Sequence, residues 1–331
     1  MHQVADTRLA SKEISFNEIP VIDVAPLIDG SKPQQVAARI RHVCEHVGFM
    51  YIRNHGVSQE LIERMYALSK AFFELPQAQK DSLNIVHSGP TLRGYIPFYA
   101  ENVDPNHTRD FKECFDFGRQ SDEVSPFFGP NLMPSDEVLP GFKACCEAYH
   151  DAMMTLARKL VQGIALSLDL PGDYFEQLQQ NPITIQRLLH YPPQIGPVSQ
   201  EEIGIGAHTD YGFLTILSQD DIGGLQVQNR QGEWVSAPPI ADTFIVNIGD
   251  LVQTFTNDRY ISTTHRVINT RGVKRYSIPF FLDLDFSAVV APVPSCVDKN
   301  IPSKYTPYTC GEHKYKRFVD SYAHLKSTPT E

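Results

Sequence analysis

Short runs of β-branched and aromatic residues recur through residues 183–284, each separated from the next by a turn rich in Gly, Asn or Asp. The runs lie at residues 183–191, 206–210, 214–218, 224–227, 234–237, 244–248, 252–255, 265–268 and 276–284. Short strands at regular spacing with turn signals between them are typical of a β-sandwich or barrel. This pattern predicts a β core in the C-terminal half of the chain.

The N-terminal half has a different character. Apolar residues at helical spacing predict helices at residues 34–47, 61–73 and 141–168. Short strands are predicted at residues 19–24 and 49–52, and residues 84–140 suggest long loops with two short strands. The predicted fold class is therefore mainly β with flanking helices.

Four segments follow from this change in pattern. They are a disordered lead-in at residues 1–18, an N-terminal α/β cap region at 19–180, a β core at 181–290 and a C-terminal tail at 291–331 that packs on the core. Within the tail, residues 312–323 are the predicted helix.

Composition limits the classes of partner. The chain has 331 residues with 42% hydrophobic and 21% charged residues, and its formal net charge is −10. These fractions are those of a globular protein, and a chain this acidic without a basic run is repelled by phosphate backbones. We expect a small-molecule substrate, no nucleic-acid partner, and a monomer or weak homodimer.

Cysteine usage and the N-terminus indicate the compartment. The six cysteines form no CxxC pair, and the polar N-terminal residues lack the apolar stretch of a signal peptide. No apolar run approaches the roughly 20 residues that a membrane helix requires. We therefore expect free thiols, no membrane association and a cytoplasmic protein.

The richest segment for chemistry is residues 206–212, GAHTDYG. Side chains alternate faces along a strand, so His208 and Asp210 are predicted to point the same way. An imidazole and a carboxylate on one face are natural ligands of a divalent metal. For an isolated HxD, a surface histidine beside a turn aspartate is the better interpretation, so a metal site needs a third ligand.

His265 is the predicted third ligand. It lies in YISTTHRV, a strand-like segment of the same β region. Two histidines and one carboxylate form a facial triad that leaves several positions open on iron(II), which oxygen-activating enzymes need. Zinc in a hydrolase usually keeps one open position, so a zinc hydrolase is an alternative.

Arg275 and Ser277 follow ten residues later at the same i, i+2 spacing. A guanidinium fork beside a hydroxyl is a good clamp for a carboxylate, because it donates two parallel hydrogen bonds. The order HxD, His and RxS together is a strong signal, although each part alone is weak.

These motifs resemble the isopenicillin N synthase-like family of iron(II)- and 2-oxoglutarate-dependent dioxygenases. The resemblance extends over residues 19–284 and includes GAHTDYGFLTIL, DIGGLQV, RYSIPFF and, nearer the N-terminus, CEHVGFMYIRNHGV. It implies a double-stranded β-helix, or jelly-roll, core at residues 181–290. It also implies oxidation, foremost hydroxylation, of an unactivated C–H bond, with succinate and carbon dioxide as products.

Carried over residue by residue, the resemblance makes His208, Asp210 and His265 the catalytic iron ligands. It makes Arg275, Ser277 and Tyr191 the residues that bind 2-oxoglutarate, with O2 as the oxidant and ascorbate as the reductant in vitro. Leu189 departs from the asparagine that many plant members carry two positions before the tyrosine.

Three residues are further candidates for contact with the substrate. The resemblance to microbial and fungal members implies that Arg187 reaches the substrate, and an ion pair on a solvated strand is the alternative. Tyr211 follows the metal carboxylate, and Phe281 shares a strand face with Arg275 and Ser277. Ordinary core packing is the alternative for both aromatic residues.

Two further functions stay open at this stage. Some members of the family use O2 without 2-oxoglutarate, for oxidative cyclisation or ethylene formation. A catalytically silent metal-binding protein on the same scaffold is a third interpretation, although it would be expected to have lost one of the five motif residues.

Overall fold

The computed structural model describes residues 12–13, 19–104, 107–194, 202–269 and 271–326. Within these ranges the helices are α1 (Ala25–Ile28), α2 (Pro33–His46), α3 (Gln59–Phe73), α4 (Gln77–Asp81), α5 (Phe142–Ser167), α6 (Asp250–Phe255), α7 (Cys310–Ser321) and α8 (Ala323–Lys326). The strands are β1 (Lys12–Glu13), β2 (Val21–Asp23), β3 (Phe49–Arg53), β4 (Gly94–Ile96), β5 (Arg109–Asp110), β6 (Glu113–Phe117), β7 (Pro182–Tyr191), β8 (Glu202–Ile203), β9 (Ile205–His208), β10 (Leu214–Gln219), β11 (Leu225–Gln228), β12 (Trp234–Ser236), β13 (Thr243–Ile248), β14 (His265–Val267), β15 (Arg275–Asp285), β16 (Val289–Val290) and β17 (Tyr308–Thr309).

Two sheets form the jelly-roll core. The larger has eight strands in the order β2-β3-β13-β10-β15-β7-β6-β4, and the smaller has five in the order β1-β12-β11-β14-β9. Apolar residues from both sheets and from the helices belong to one buried cluster. The predicted fold class, mainly β with flanking helices and a jelly-roll core, is confirmed.

The N-terminal region is built into the larger sheet. Strand β3 pairs antiparallel with β13, and β6 pairs antiparallel with β7 at the other side of the sheet. Strand β7 begins at Pro182, close to the predicted boundary at residue 181, but hydrogen bonding continues across that boundary. The cap region therefore supplies strands as well as helices to the framework that holds the site.

The longest helix, α5, buries the apolar stripe that its sequence predicts. Tyr149, Met153, Leu156 and Leu160 recur at three- to four-residue spacing and are all nearly inaccessible to solvent. Burying each such side chain contributes about 1.5–3 kcal/mol, so α5 is held mainly by packing.

Gly48 lies in the turn between α2 and β3, in a conformation that only glycine adopts easily. Its φ is +75°, and a Cβ there would lie 2.4 Å from the carbonyl oxygen of Ile261. The close approach of two backbones at this point brings the segment before His265 against the larger sheet.

Two predicted strands are corrected by the structure. Residues 252–255 belong to helix α6, because Gly249 adopts an extended conformation and the Asp250 amide donates to the Asp210 carbonyl oxygen. A short apolar run cannot distinguish a strand from one buried helical turn. The strand predicted at residues 206–210 ends at His208, and Asp210 lies in the following loop.

The structure also bears on the predictions for the two ends of the chain. The lead-in predicted at residues 1–18 lies mostly outside the described residues, but Lys12–Glu13 pairs in parallel with β12. The predicted tail helix is confirmed as α7. Among the described residues, no helix combines the length and apolar character that crossing a membrane would require.

Candidate metal centre and its cavity

His208 and His265 face each other across two neighbouring strands of the smaller sheet. His208 is the last residue of β9 and His265 the first of β14, and the two residues are register partners. Their ring centroids lie 4.3 Å apart. Antiparallel pairing therefore brings together two histidines that are 57 positions apart in the sequence.

Backbone carbonyl groups orient both imidazoles. Nδ1 of His208 lies 2.8 Å from the carbonyl oxygen of Gly206, and Nδ1 of His265 lies 3.1 Å from that of Thr263. A carbonyl oxygen can only accept, so Nδ1 carries the hydrogen in each ring. The Nε2 lone pairs are then free for a metal, in the arrangement usual for histidine ligands.

Asp210 completes the cluster from the loop between β9 and β10. Its Oδ1 lies 3.7 Å from Nε2 of His208 and 3.6 Å from Nε2 of His265. Its Oδ2 accepts hydrogen bonds of 2.6 Å from the Thr215 hydroxyl and from the Asn247 amide. The two donors fix one oxygen, so the other points at the two imidazoles.

The three side chains form a site that fits a divalent cation. One ligand atom from each residue lies within 4.8 Å of the other two, and no other such cluster occurs in the described ranges. Burial, followed by the neighbouring His265 imidazole, lowers the pKa of His208 to about 3. A neutral imidazole is the form that binds metal, and burial favours that form of His208.

Arg275 lies at the start of β15, opposite Tyr191 on β7. Its side chain is fully buried, its Nε–H donates to the Gly223 carbonyl oxygen, and one terminal nitrogen lies 3.3 Å from the Ser277 hydroxyl. The guanidinium also packs over the Tyr191 ring, 4.6 Å from its centroid. The other terminal nitrogen, Nη2, is buried with no hydrogen-bond partner within the described residues.

An unpartnered buried guanidinium nitrogen is costly unless a ligand supplies an acceptor. Arg275 borders a cavity that also contains Tyr191, Ser277 and the apolar side chain of Leu189. We call this the Arg275 lobe. The same lobe reaches the metal cluster, so a carboxylate ligand bound at Arg275 can extend to the metal.

A second cavity meets the first at the metal cluster. Its distinctive lining residues are Glu101, Tyr211, Lys314 and Phe318, and we call it the Glu101 lobe. Both lobes share the side chains of Val103, Arg187, His208, Asp210, Thr215 and Phe281. The candidate metal site therefore lies between two cavities with different linings.

Arg187 lies on β7 between the two lobes, and its partners are all protein groups. Nε and Nη2 donate to the two oxygens of Asp116 at 2.7 and 2.8 Å, and Nη1 donates to both oxygens of Glu101 at 2.9 and 2.8 Å. Nη2 also donates to the Tyr322 hydroxyl at 2.7 Å. Burial opposes the charge, but Asp116 and Glu101 outweigh it and raise the pKa of Arg187.

Lys112 extends this network toward the metal. Its Nζ lies 2.8 Å from Oδ2 of Asp110 and 3.2 Å from Oε2 of Glu101. Oδ1 of Asp110 in turn accepts from the amide of Gly206, whose carbonyl oxygen orients His208. The buried ionic network is therefore continuous with the backbone that orients the His208 imidazole.

The C-terminal helix α7 forms one wall of the Glu101 lobe. Lys314 and Phe318 line this lobe, and Lys314 is paired with the buried Asp283. The Ser321 carbonyl oxygen accepts from the Asn102 amide at 3.0 Å. The tail predicted to pack on the core therefore also contributes to the cavity.

The structure places the predicted site residues as follows. His208, Asp210 and His265 come together, and Arg275, Ser277 and Tyr191 lie in one lobe. Tyr211 and Phe281 both line the Glu101 lobe, and the Tyr211 hydroxyl lies 2.9 Å from the Ser321 hydroxyl. Contact of Arg187, Tyr211 and Phe281 with a substrate stays a prediction.

Sequence reasoning missed several residues of the site. Thr215 and Asn247 hold Asp210, and Glu101, Lys112 and Asp116 form the ionic network. Charged residues within the otherwise apolar segment FKECFDF at 111–117 are a signal for buried ion pairs, because unpaired charges are seldom buried. Glu101 lies in a loop and has no comparable signal.

Comparisons with known proteins agree with this geometry. The family model described as the non-haem dioxygenase in morphine synthesis N-terminal region matches residues 19–136. The model described as the 2OG-Fe(II) oxygenase superfamily matches residues 182–284, the segment that contains the metal cluster.

Individual proteins match over nearly the whole chain. Homoarginine-6-hydroxylase 2-ODD-233 of Oryza sativa subsp. japonica is 34% identical, over 93% of this chain and 98% of its own. The 1-aminocyclopropane-1-carboxylate oxidase of Dictyostelium discoideum is 34% identical over 86% of each chain. The crystal structure of full-length Neurospora crassa T7H in complex with alpha-KG superposes with a TM-score of 0.83 at 28% identity, over 96% of this chain and 100% of that one.

Proposed function

The chain belongs to the 2OG-Fe(II) oxygenase superfamily and is a non-haem iron dioxygenase, and we propose that it hydroxylates an unactivated C–H bond of a small molecule. In this reaction O2 supplies one oxygen atom to the substrate and one to the succinate formed from 2-oxoglutarate, with release of carbon dioxide. Ascorbate is the reductant expected to keep the iron active in vitro.

The proposed metal ligands are His208, Asp210 and His265. Support comes from their geometry, because two oriented Nε2 atoms and one free carboxylate oxygen converge on one point. Three ligands on one face leave positions open for a chelating co-substrate and for O2. Iron bound there supplies the one-electron and O2 chemistry that amino-acid side chains lack.

The proposed anchor of 2-oxoglutarate is Arg275, with Ser277 and Tyr191 beside it. One observation carries this assignment: a fully buried guanidinium whose Nη2 has no acceptor in the described part of the chain lies in the cavity that leads to the metal. The far carboxylate of 2-oxoglutarate supplies that acceptor and neutralises the buried charge.

The residues around the metal also set the orientation of the substrate. Phe281 and Leu214 give the Glu101 lobe an apolar surface near the metal, and β15 and β10 hold both side chains on paired strands. A rigid wall that excludes water and fixes one C–H bond near the iron favours oxidation of the bound substrate over unproductive turnover. Hydroxylation is favoured because the rice relative is a hydroxylase.

The Dictyostelium relative favours a second candidate, an iron(II) oxidase that uses O2 without 2-oxoglutarate. In that case Arg275 would bind a carboxylate of the substrate itself. Oxygen consumption in the absence of 2-oxoglutarate turnover would distinguish this candidate from the first.

The test measures release of carbon dioxide from 1-labelled 2-oxoglutarate and formation of succinate by the iron-loaded protein, with a small-molecule library as substrate. We expect stoichiometric production of both. Asp210→Ala should lower turnover by at least about 1,000-fold, since the ligands act as a unit. The control Asp221→Ala changes an exposed aspartate and should leave turnover unchanged.

Retention of turnover in Asp210→Ala would contradict the assigned metal site. Iron-dependent oxygen uptake that consumes no 2-oxoglutarate would contradict the proposed reaction and support the oxidase.

The proposed setting is the cytoplasm, and the proposed partner is the small-molecule substrate. The six cysteines form no disulfide, and five of them are buried, as expected for a reducing compartment. We expect a monomer or weak homodimer, which sedimentation analysis at micromolar concentration would test.

A further inference from the structure

The buried ionic network beside the metal carries one more negative than positive charge. Its carboxylates are Glu101, Asp110 and Asp116, and its cations are Lys112 and Arg187. Both oxygens of each carboxylate accept hydrogen bonds, as an ionised carboxylate does. A buried network with an unbalanced charge is costly unless something neutralises it.

Glu101 is the carboxylate of the ionic network that lines a cavity, so the excess negative charge of the network is exposed to a ligand there. It lines the Glu101 lobe together with Arg187, whereas Asp110 and Asp116 are fully buried behind them. Its carboxylate accepts two hydrogen bonds from Arg187 and one contact from Lys112. A carboxylate has about four acceptor positions, so Glu101 retains one for a ligand.

The cations around this lobe are already engaged. Arg187 makes five hydrogen bonds to protein acceptors, and Lys314 is paired with Asp283. Arg317 packs over the Tyr211 ring, 4.2 Å from the centroid, and it is only half-buried. Water screens a charge at that position, so it does not balance the buried one. An anionic ligand would have to break an existing ion pair to find a partner.

From these contacts we infer that the Glu101 lobe is a subsite for a positively charged nitrogen group, an ammonium or guanidinium, and that Glu101 determines this specificity. The inference rests on the proposed function, in which iron(II), 2-oxoglutarate, Asp210 and Arg275 together carry no net charge. The cationic group of the substrate then neutralises the ionic network.

The test uses two probes of nearly identical shape, homoarginine and homocitrulline, which differ in a guanidinium against a neutral urea. Binding to the full-length protein loaded with iron(II) and 2-oxoglutarate is measured by anaerobic calorimetry. We expect homoarginine to bind about 10- to 100-fold more tightly, the range of a hydrogen bond to a charged group. Glu101→Gln should remove most of this preference and leave 2-oxoglutarate binding unchanged.

Asp116→Asn is the matched control. It removes one negative charge from the same network at a position that does not line the lobe, so the preference for homoarginine should persist in reduced form. If Glu101→Gln does not fold, the comparison of the two probes on the native protein still decides the question.

Equal binding of the two probes to the native protein, or binding of neither, would overturn the inference, as would an undiminished preference in a folded Glu101→Gln protein. Binding of 2-oxoglutarate in the same titrations tests the proposed function separately. If 2-oxoglutarate binds but homoarginine and homocitrulline bind equally, only the proposed subsite is wrong. If 2-oxoglutarate does not bind, the proposed function is wrong.

Discussion

Arg275 and Arg187 are both buried in the walls of one cavity, on neighbouring strands of the larger sheet, yet their surroundings differ. Arg187 donates five hydrogen bonds to protein groups, and two carboxylates contact it. Arg275 contacts no carboxylate in the described part of the chain, and its Nη2 has no acceptor there. The two guanidiniums therefore represent opposite solutions to the burial of a charge.

The contrast separates a charge whose hydrogen bonds the protein itself satisfies from a charge that it leaves without an acceptor among the described residues. A guanidinium with all its partners in the protein stabilises the fold, and a ligand gains little from it unless a partner leaves. A buried guanidinium that lacks an acceptor can form its missing hydrogen bond with a ligand without breaking a bond inside the protein. Arg187 was predicted to reach the substrate, and its saturated contacts favour a role in organising Glu101 for that purpose.

The largest expected effect on stability is that of Arg187→Met. The change leaves Asp116 as an unpaired buried carboxylate and leaves Glu101 with Lys112 as its one remaining cation among the described residues, which should lower the free energy of unfolding by about 3–5 kcal/mol. Urea unfolding followed by circular dichroism measures it. The control Arg119→Met alters an exposed arginine and should change stability by less than about 0.5 kcal/mol. If Arg187→Met lowered the free energy of unfolding by less than about 1 kcal/mol, the ion pairs of Arg187 would not stabilise the fold as this comparison requires.

Arg275→Ala should instead act on the co-substrate. Loss of a buried charge pair with a ligand costs about 2–5 kcal/mol, so the dissociation constant of 2-oxoglutarate should rise about 30- to 5,000-fold. Stability should fall less than in Arg187→Met, because Asp220, the carboxylate on which the charge of Arg275 acts, keeps its hydrogen bonds from the backbone amides of Tyr276 and Ile222. Lys274→Ala, which alters the exposed neighbour, is the control for calorimetric titration. Unchanged affinity in Arg275→Ala would show that the carboxylate is held elsewhere.

Tyr322→Phe tests the comparison of Arg187 with Arg275 by removing a single hydrogen-bond acceptor of Arg187. Its hydroxyl accepts from Nη2 of Arg187, and its removal leaves one buried N–H without an acceptor. The expected loss in the free energy of unfolding is about 0.5–1.5 kcal/mol, measured by urea unfolding. Tyr315→Phe, at a more exposed position on α7, should have no measurable effect. Equal effects of the two substitutions would mean that the contact with Arg187 contributes nothing.

The sequence predicted the elements whose signals are local. Regular spacing gave the strands of the core and helices α2, α3 and α5 to within a few residues. It failed at α6, where the segment DLVQTF after Gly249 forms a short helix. The strand argument for His208 and Asp210 gave the correct pairing for an incomplete reason, because side-chain hydrogen bonds from Thr215 and Asn247, and no strand ladder, aim Asp210 at the histidines.

By itself the sequence determined which side chains are the candidates for the metal site, His208, Asp210 and His265, and for the carboxylate clamp, Arg275, because residue type and spacing carry that chemistry. Only the tertiary structure decided which charges meet. Glu101, Asp116 and Arg187 come from distant segments, and their pairing depends on the register of β6 with β7 and on where the loop before β5 lies. Electrostatic energy depends on distance and burial in three dimensions, and neither quantity is encoded in the local pattern of residues.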